Sequence, residues 1–500
     1  MATLPDFGFV GPTNIAASPV FDAQDSINLY LETGRGTSKS KAMLVGAPGL
    51  SLLGTLPTAP IRPGGLWSGN GRVFVCAGDH IYEMNNGAGV IHDYGAIPFS
   101  VGNGPVQFVS NGQQLFLMDH SIPSGGGISG GMVYIDSVGG GLIIPTLHVG
   151  GGTSSFQAGA ITYLDGFIVA ISSAPTDHNL IYVSDLLDGT SWQALNFVQR
   201  TGSEDLCTNL ETLNEQLWIF GQKNIEVFYN AGNPTFPFAR VAGASINVGL
   251  LGIFTVIKFQ DRLMWLGSDS RGYARVYQTN SLQAEVVSTP EVEFLLSGLH
   301  AIKLLQSTAF GYEEAGHRFA VFNIDDPVGV GNTIVYDLDE KVWHRRTSAT
   351  APQVRARQSC FTSDSSFDSG FFTNYVGDYL TGAIYRQSIT FPSDAGASRV
   401  YQRTAPHVAD RNHFYKYPSL EIDADIGTAQ IALSYSDDGG RTFPHTRAAM
   451  SGSAAVEFKR FKWWQLGRSR DRVFRATITD NANTIRLINA YLDARAGTET

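Results

Sequence analysis

The amino-acid sequence predicts an all-β protein: a β-propeller-like region of about six to seven blades, with an extended N-terminal arm and a C-terminal β-sandwich. Three observations predict it. An apolar strand, a Gly/Asp/Asn turn and a second, Tyr-rich strand recur about every 40 to 55 residues, the spacing of a four-stranded blade. The 55 glycines, 30 Phe and 19 Tyr are the composition of tight turns joining aromatic-rich strands. Charged residues make up only 16% of the 500, and helical periodicity is confined to one short stretch.

Residues 1–60 read as the arm. Prolines at 5, 12, 19 and 48 interrupt it, Ser26-Ile27-Asn28-Leu29-Tyr30-Leu31 alternates in part as a strand does, and Ala47-Pro48-Gly49-Leu50 is a turn. Such an arm has no core of its own. A chain without its first 45 or so residues is therefore expected to keep a folded propeller and assemble poorly.

The repeat region spans 61–390. One copy runs from Arg72-Val73-Phe74-Val75-Cys76 to Ile81-Tyr82-Glu83, another from Gln216-Leu217-Trp218-Ile219 to Ile225-Glu226-Val227-Phe228-Tyr229. A weaker copy runs from Gly370-Phe371-Phe372 to Ala383-Ile384-Tyr385. A blade cannot bury both its faces alone, and a ring of blades can. The competing arrangement is a string of hairpins in two or three β-sandwiches. Within the repeats, the glycine-rich stretch 119–153 reads as a long inserted loop or protruding hairpin. Ser288-Thr289-Pro290-Glu291, then Val292, Leu295, Leu296 and Leu299 at helical spacing, predict one inserted helix. Residues 391–414 read as a linker. Residues 415–500, which alternate well over 430–435 and 473–478, read as a small antiparallel sandwich.

The net charge of −10 argues against tight wrapping of nucleic acid, which needs clustered Lys and Arg, and suits a conduit that repels phosphates. Cys76, Cys207 and Cys360 are far apart and odd in number, which argues against a disulfide framework or zinc site and for folding in a reducing compartment. The first residues lack a charged and apolar leader pattern, and no run of about 18 apolar residues occurs, so neither a signal peptide nor a membrane span is expected. No cofactor or metal is expected.

Ser436-Asp437-Asp438-Gly439-Gly440-Arg441-Thr442-Phe443 resembles the Asp box, S-x-D-x-G-x-T-W/F, of sialidases and other propellers. Its chemistry is that of a hairpin turn. The Asp438 carboxylate and the Ser436 and Thr442 hydroxyls satisfy backbone donors, Gly440 takes positive φ, and the Phe443 ring plugs the core. A lone box outside the repeats reads as structural, not catalytic. Gly127-Ile128-Ser129-Gly130-Gly131 matches the G-x-S-x-G hydrolase elbow but precedes a strand where the elbow needs a helix. Glu313-Glu314 with His317 lacks a third metal ligand nearby, and the pairs Asp325-Asp326 and Asp437-Asp438 sit in turns. No catalytic residue is assigned.

Lys459-Arg460-Phe461-Lys462-Trp463-Trp464, followed by Arg468, Arg470, Arg472 and Arg475, is the densest basic and aromatic cluster. Lys459, Arg460, Lys462, Trp463 and Trp464 read as an interface for an acidic neighbour subunit, ahead of a single-stranded nucleic-acid site.

Several short motifs, taken in order, carry a family resemblance. They include Asn28-Leu29-Tyr30, Ala47-Pro48-Gly49-Leu50, Asn70-Gly71-Arg72-Val73-Phe74, Ile225-Glu226-Val227-Phe228-Tyr229-Asn230 with Phe236-Pro237-Phe238, Trp265-Leu266-Gly267 and Trp343-His344-Arg345. The chain resembles the packaged-DNA stabilisation proteins, also called tail hub or nozzle proteins, of short-tailed bacteriophages. The resemblance implies a non-enzymatic virion tail protein, made in the host cytoplasm. It implies a homohexameric ring below the portal and head–tail adaptor that closes the channel, retains packaged double-stranded DNA and conducts it at infection without sequence-specific binding. It also implies contact with a tail needle or plug and with tailspikes or fibres. The alternative is a propeller glycosidase or sialidase, or a glycan-binding module, acting on host surface polysaccharide. An exposed pair of aromatics within 437–447 or 462–466 would favour sugar binding.

Overall fold

The computed structural model describes residues 3–496 apart from 85–89, 101–103, 121–130, 173–178, 325–331, 349–354, 365–372, 410–412, 454–457 and some single or paired residues. The G-x-S-x-G match at 127–131 is thus almost wholly outside the described residues, and Asp325-Asp326 and Gly370-Phe371-Phe372 lie outside them too.

Seven antiparallel units follow in chain order, over 61–96, 106–143, 158–199, 207–246, 249–286, 308–346 and 358–388. Their innermost strands touch in cyclic order, the seventh returning to the first, so the units are blades of a closed β-propeller. The second strand of a blade is buried on both faces, while the outermost strands are largely exposed on one. In Gln216–Gly221, Leu217 and Ile219 pack toward the third blade, while Trp218 and Phe220 pack toward the fifth. That is why the repeat reads as continuous apolar runs and not as alternation. The blade that closes the ring is composite. Gly49–Thr55 supplies its fourth strand, pairing with Ala383–Ser388. Gly49 is required there, because a Cβ would lie 2.1 Å from the Phe391 carbonyl oxygen.

The sandwich is built from both chain ends. One sheet has the order Leu29–Thr33, Ala42–Gly46, Arg486–Ala496, Tyr415–Asp425, Lys459–Trp464. The other contains Ala23–Ile27, Arg399–Ala409, Asp471–Asp480, Gln430–Ser436 and His445–Ser451. Leu29, Leu31 and Leu44 of the arm share one core with Tyr401, Leu420, Ile431, Phe461, Phe474 and Leu492. A parallel pairing of Ile27 with Arg345 makes the second sheet continuous with the sixth blade.

Several expectations are corrected here. The arm is not an extended appendage: its strands complete both sandwich sheets and the last blade, because its apolar side chains have no other core to enter. The expected linker contains Arg399–Ala409, an eleven-residue strand at the centre of the second sheet. The stretch 119–153 is not one loop. Gly131–Asp136 and Gly141–Ile143 are strands of the second blade, and Thr146–Val149 with Gly152–Ser155 forms a hairpin added in parallel to the third. The single expected helix is two short ones, Pro290–Ser297 and Ala301–Leu305, separated at Gly298.

Candidate interaction surface

The Asp-box-like turn is a cradle for the arm. Asp438 Oδ1 accepts from the Ser436 hydroxyl at 2.6 Å and from the Arg441 and Thr442 amides at 3.1 and 3.0 Å, and Oδ2 accepts from the Thr442 hydroxyl at 2.6 Å. These donors hold the Asp438 carboxyl well below the usual carboxylate range, Ser436 and Thr442 contributing most. Gly439 and Gly440 lie at φ +74° and +82°, and their missing side chains leave room for Val20 and Ala23. Phe443 does not plug the core as expected. It is half-buried, with the Arg475 guanidinium 3.4 Å above its ring.

Two cations fasten the same region. Arg403, fully buried, donates to the carbonyls of Phe9 (2.6 Å) and Pro12 (2.9 Å), the Ser26 hydroxyl (3.0 Å) and the Gln24 side chain (3.0 Å). Burial pulls its pKa down to about 10. His407 places Nδ1 2.8 Å from the Asp471 carboxylate and Nε2 2.7 Å from the Pro19 carbonyl. Both partners are acceptors, so only the doubly protonated ring satisfies both. The Asp471 hydrogen bond raises the His407 pKa against the opposing cost of burial. The turn held in this way leaves Phe21 85% exposed.

Lys459–Trp464 alternates across its sheet. Phe461 and Trp463 face the core, and Trp463 Nε1 donates to the Ala448 carbonyl at 3.1 Å. Trp463 is therefore a core residue and not part of the expected interface. Lys459 is held over Phe461, its ammonium donating to the Ser451 carbonyl at 2.6 Å. Arg460, Lys462 and Trp464 face outward. Arg460 lies 3.3 Å from Asp423 and 3.6 Å from Glu421, and Lys462 lies 3.3 Å from Glu421, so the neighbouring strand offsets much of this charge. Trp464 is 62% exposed, with the Lys462 ammonium 4.3 Å from its ring centre. It borders a concavity of about 530 Å³ that also includes Tyr491 and Asp493. Phe414 sits between the guanidinium groups of Arg468 and Arg470, at 5.3 and 4.4 Å. Lys416 aligns with both Arg468 and Arg495. That row was invisible in sequence, since only lateral strand pairing assembles it.

A cavity of about 260 Å³ is lined from five blades, by Trp67, Phe108, His120, Glu211, Phe254 and Ala309 among others. The segment between Gly249–Leu250 and Ile257–Lys258 bulges inward, so that Phe254 meets the His120 ring at 5.0 Å. Asn209 Nδ2 donates to the Ile253 carbonyl at 2.8 Å. Burial pushes the His120 pKa down to about 4.

The remaining candidates disperse. Glu314 accepts from the Ile389 amide at 2.6 Å, while His317 pairs with Asp337 at 2.7 Å. Among the described residues no group of three or more His, Cys, Asp or Glu side chains converges as a metal set. Cys76, Cys207 and Cys360 are buried and form no disulfide, and burial pushes the Cys76 thiol up to about 12.

A closed propeller fused to a sandwich, with Asp438, Arg403 and His407 fastening chain segments, defines a two-domain, nearly all-β class of protein. The chain belongs to the bacteriophage P22 Gp10 family: that family's β-propeller model matches residues 15–385 and its β-sandwich model matches residues 400–492. It is a structural tail protein of a bacteriophage, of the hub or stabilisation class, and a virion component. No curated protein sequence matches it. Among solved structures it is similar to the computationally designed Ika8 protein (11% identity, 68% of this chain, 99% of that one, TM-score 0.39). It is also similar to the Pan2 WD40 domain of Neurospora crassa (11%, 68% and 94%, TM-score 0.40) and an exo-β-1,3-galactanase of Phanerochaete chrysosporium (9%, 89% and 99%, TM-score 0.29). Likenesses this distant carry no argument about function.

Proposed function

We propose that copies of this chain form a homohexameric ring below the portal and head–tail adaptor, close the channel on packaged DNA and conduct the DNA at infection. The observation that carries this reading is the small space left among the inner strands of five blades. A cavity of about 260 Å³ has no room for a duplex whose major groove alone is about 12 Å wide, so a conduit has to run between chains. The sheet shared by the sixth blade and the sandwich makes each chain a stiff two-domain strut, as a part loaded by packaged DNA requires. The net charge of −10 disfavours adhesion of the passing phosphates. In this reading the chain acts without catalysis, and a tail needle or plug and tailspikes or fibres dock on the ring. Particles assembled without the chain test it. They should package DNA and then lose it to nuclease, whereas stable, nuclease-resistant filling would refute the retention role.

A second reading, a glycan-binding module, draws on Trp464 and Tyr491, which border one concavity. Binding to host surface polysaccharide that disappears in Trp464→Ala, with particle assembly unchanged, would favour it. The glycosidase or sialidase reading draws only on the Asp-box-like turn, whose Asp438 is committed to its own backbone and hydroxyl donors.

A further inference from the structure

We infer that the open half of the outer sandwich sheet is a docking face for a second copy of this chain. The inference rests on the ring reading above and adds which surface closes the ring.

The outer face of this sheet is divided. At the Leu29–Thr33 and Ala42–Gly46 side, Tyr30 and Val45 pack against Tyr312, Phe319 and Val321 of the sixth blade. At the other side, Arg486–Ala496, Tyr415–Asp425 and Lys459–Trp464 turn outward Trp464, the most exposed large hydrophobic side chain among the described residues of the sandwich strands. Strand register orders what surrounds it. Arg495, Lys416 and Arg468 form one row. Asp493, Ser419 and Trp464 form the next, and Tyr491, Glu421 and Lys462 the one after. Arg460 and Asp423 follow, and Arg470 lies at the end beside Phe414.

The charge on this face is opposite to that of the chain. Six cations against three carboxylates leave it at +3 in a chain of net charge −10, so the rest of the molecule carries −13. Lys416, Arg468 and Arg470 have no carboxylate partner among the described residues, whereas Arg460, Lys462 and Arg495 do. A second copy supplies the acidic surface that the three unpaired cations lack. A basic patch meeting a different, acidic patch is a heterologous contact, the kind that propagates into a ring. An exposed Trp ringed by Arg and Lys has the make-up of an energetic hot spot in such a contact. A nucleic-acid backbone fits less well, because Glu421, Asp423 and Asp493 stand among the cations and would repel phosphates.

The test uses the purified full-length chain. Its mass in solution is measured by light scattering against concentration and salt, together with two variants, Trp464→Ala and the triple reversal Lys416→Glu, Arg468→Glu, Arg470→Glu. The wild-type chain should form closed oligomers that weaken as salt rises. Both variants should melt as the wild type does and associate at least tenfold more weakly. Variants that assemble like the wild type would show that the ring closes elsewhere, overturning this inference and leaving the ring reading intact. A wild-type chain that stays monomeric at every concentration would overturn both. Fluorescent duplex DNA is the second probe. Binding that the reversal abolishes, with assembly unchanged, would assign the face to nucleic acid and overturn the inference.

Discussion

Asn28 and Thr347 exchange two hydrogen bonds: the Asn28 side-chain amide donates to the Thr347 carbonyl at 2.9 Å, and its oxygen accepts from the Thr347 amide at 3.0 Å. The same Nδ2 also donates to the Val400 carbonyl at 2.8 Å. Asn28 is fully buried, at φ 55°, a backbone conformation that Asn tolerates better than most non-glycine residues. One side chain thereby ties the arm to the end of the sixth blade and to the central strand of the sandwich. The sequence motif Asn28-Leu29-Tyr30 has its physical basis in this tie.

Asn28→Ala is expected to cost about 3 kcal/mol, since it strands one amide and two carbonyls in a buried junction. Calorimetry should show the sandwich melting earlier while the propeller transition moves little. Unchanged melting would mean that the junction is held elsewhere.

Removing residues 1–45 is expected to unfold the sandwich, a stronger effect than the weakened assembly that the sequence alone implies. The truncation deletes Leu29–Thr33 and nearly all of Ala42–Gly46 from the first sheet, Ala23–Ile27 from the second, and the arm acceptors that Arg403 reaches, stranding a buried cation. Gly49–Thr55 remains, so the last blade stays closed. Limited proteolysis should leave a resistant fragment covering the blades and digest 399–496. A truncated chain with a protease-resistant sandwich would contradict this.

Asp438→Ala is expected to lower the melting temperature of the sandwich at neutral pH and to leave any activity of the folded protein untouched. The folded carboxyl titrates below its unfolded value of about 3.8. Its contribution is therefore fully present above that value and fades as pH falls through the depressed folded pKa. The gap in melting temperature between variant and wild type should shrink on acidification below about pH 4. A gap that stays constant into strong acid would rule out the turn as its source.

His407 gives the opposite pH dependence. Its folded pKa is raised, so its contribution is full below the unfolded value of about 6.5 and is lost as pH rises through the folded one. Asp471 and the Pro19 carbonyl cannot both be satisfied by the neutral ring, and Asp22 adds to the acidic surroundings. Hydrogen exchange over 18–24, corrected for its intrinsic rate, should lose protection as pH rises above about 6.5 and passes the raised folded pKa. His407→Gln should lack that protection throughout. Protection independent of pH in the wild type would contradict the imidazolium bridge.

The propeller was legible because all of its blades but the closing one are local. Turn, strand and turn follow within one repeat, and even the weak seventh copy, Ala383-Ile384-Tyr385, lies in a real strand, Ala383–Ser388. The sandwich and the closing blade were only half legible. Asn28 and Thr347 are 319 residues apart, and Gly49–Thr55 pairs with a strand more than 300 residues later, so nothing in the local pattern announces either contact. Composition misled at 119–153, where glycines mark turns within real strands. At the candidate surface, two adjacent tryptophans of one strand necessarily face opposite ways. Sequence alone did not separate buried Trp463 from exposed Trp464, nor could it bring Lys416 beside Arg468 and Arg495.

Gold-labelled antibody imaging of phage particles tests the central claim most directly. Label gathered at the short tail, below the head vertex, is the predicted result. Label absent from intact particles would contradict a hub role in the virion.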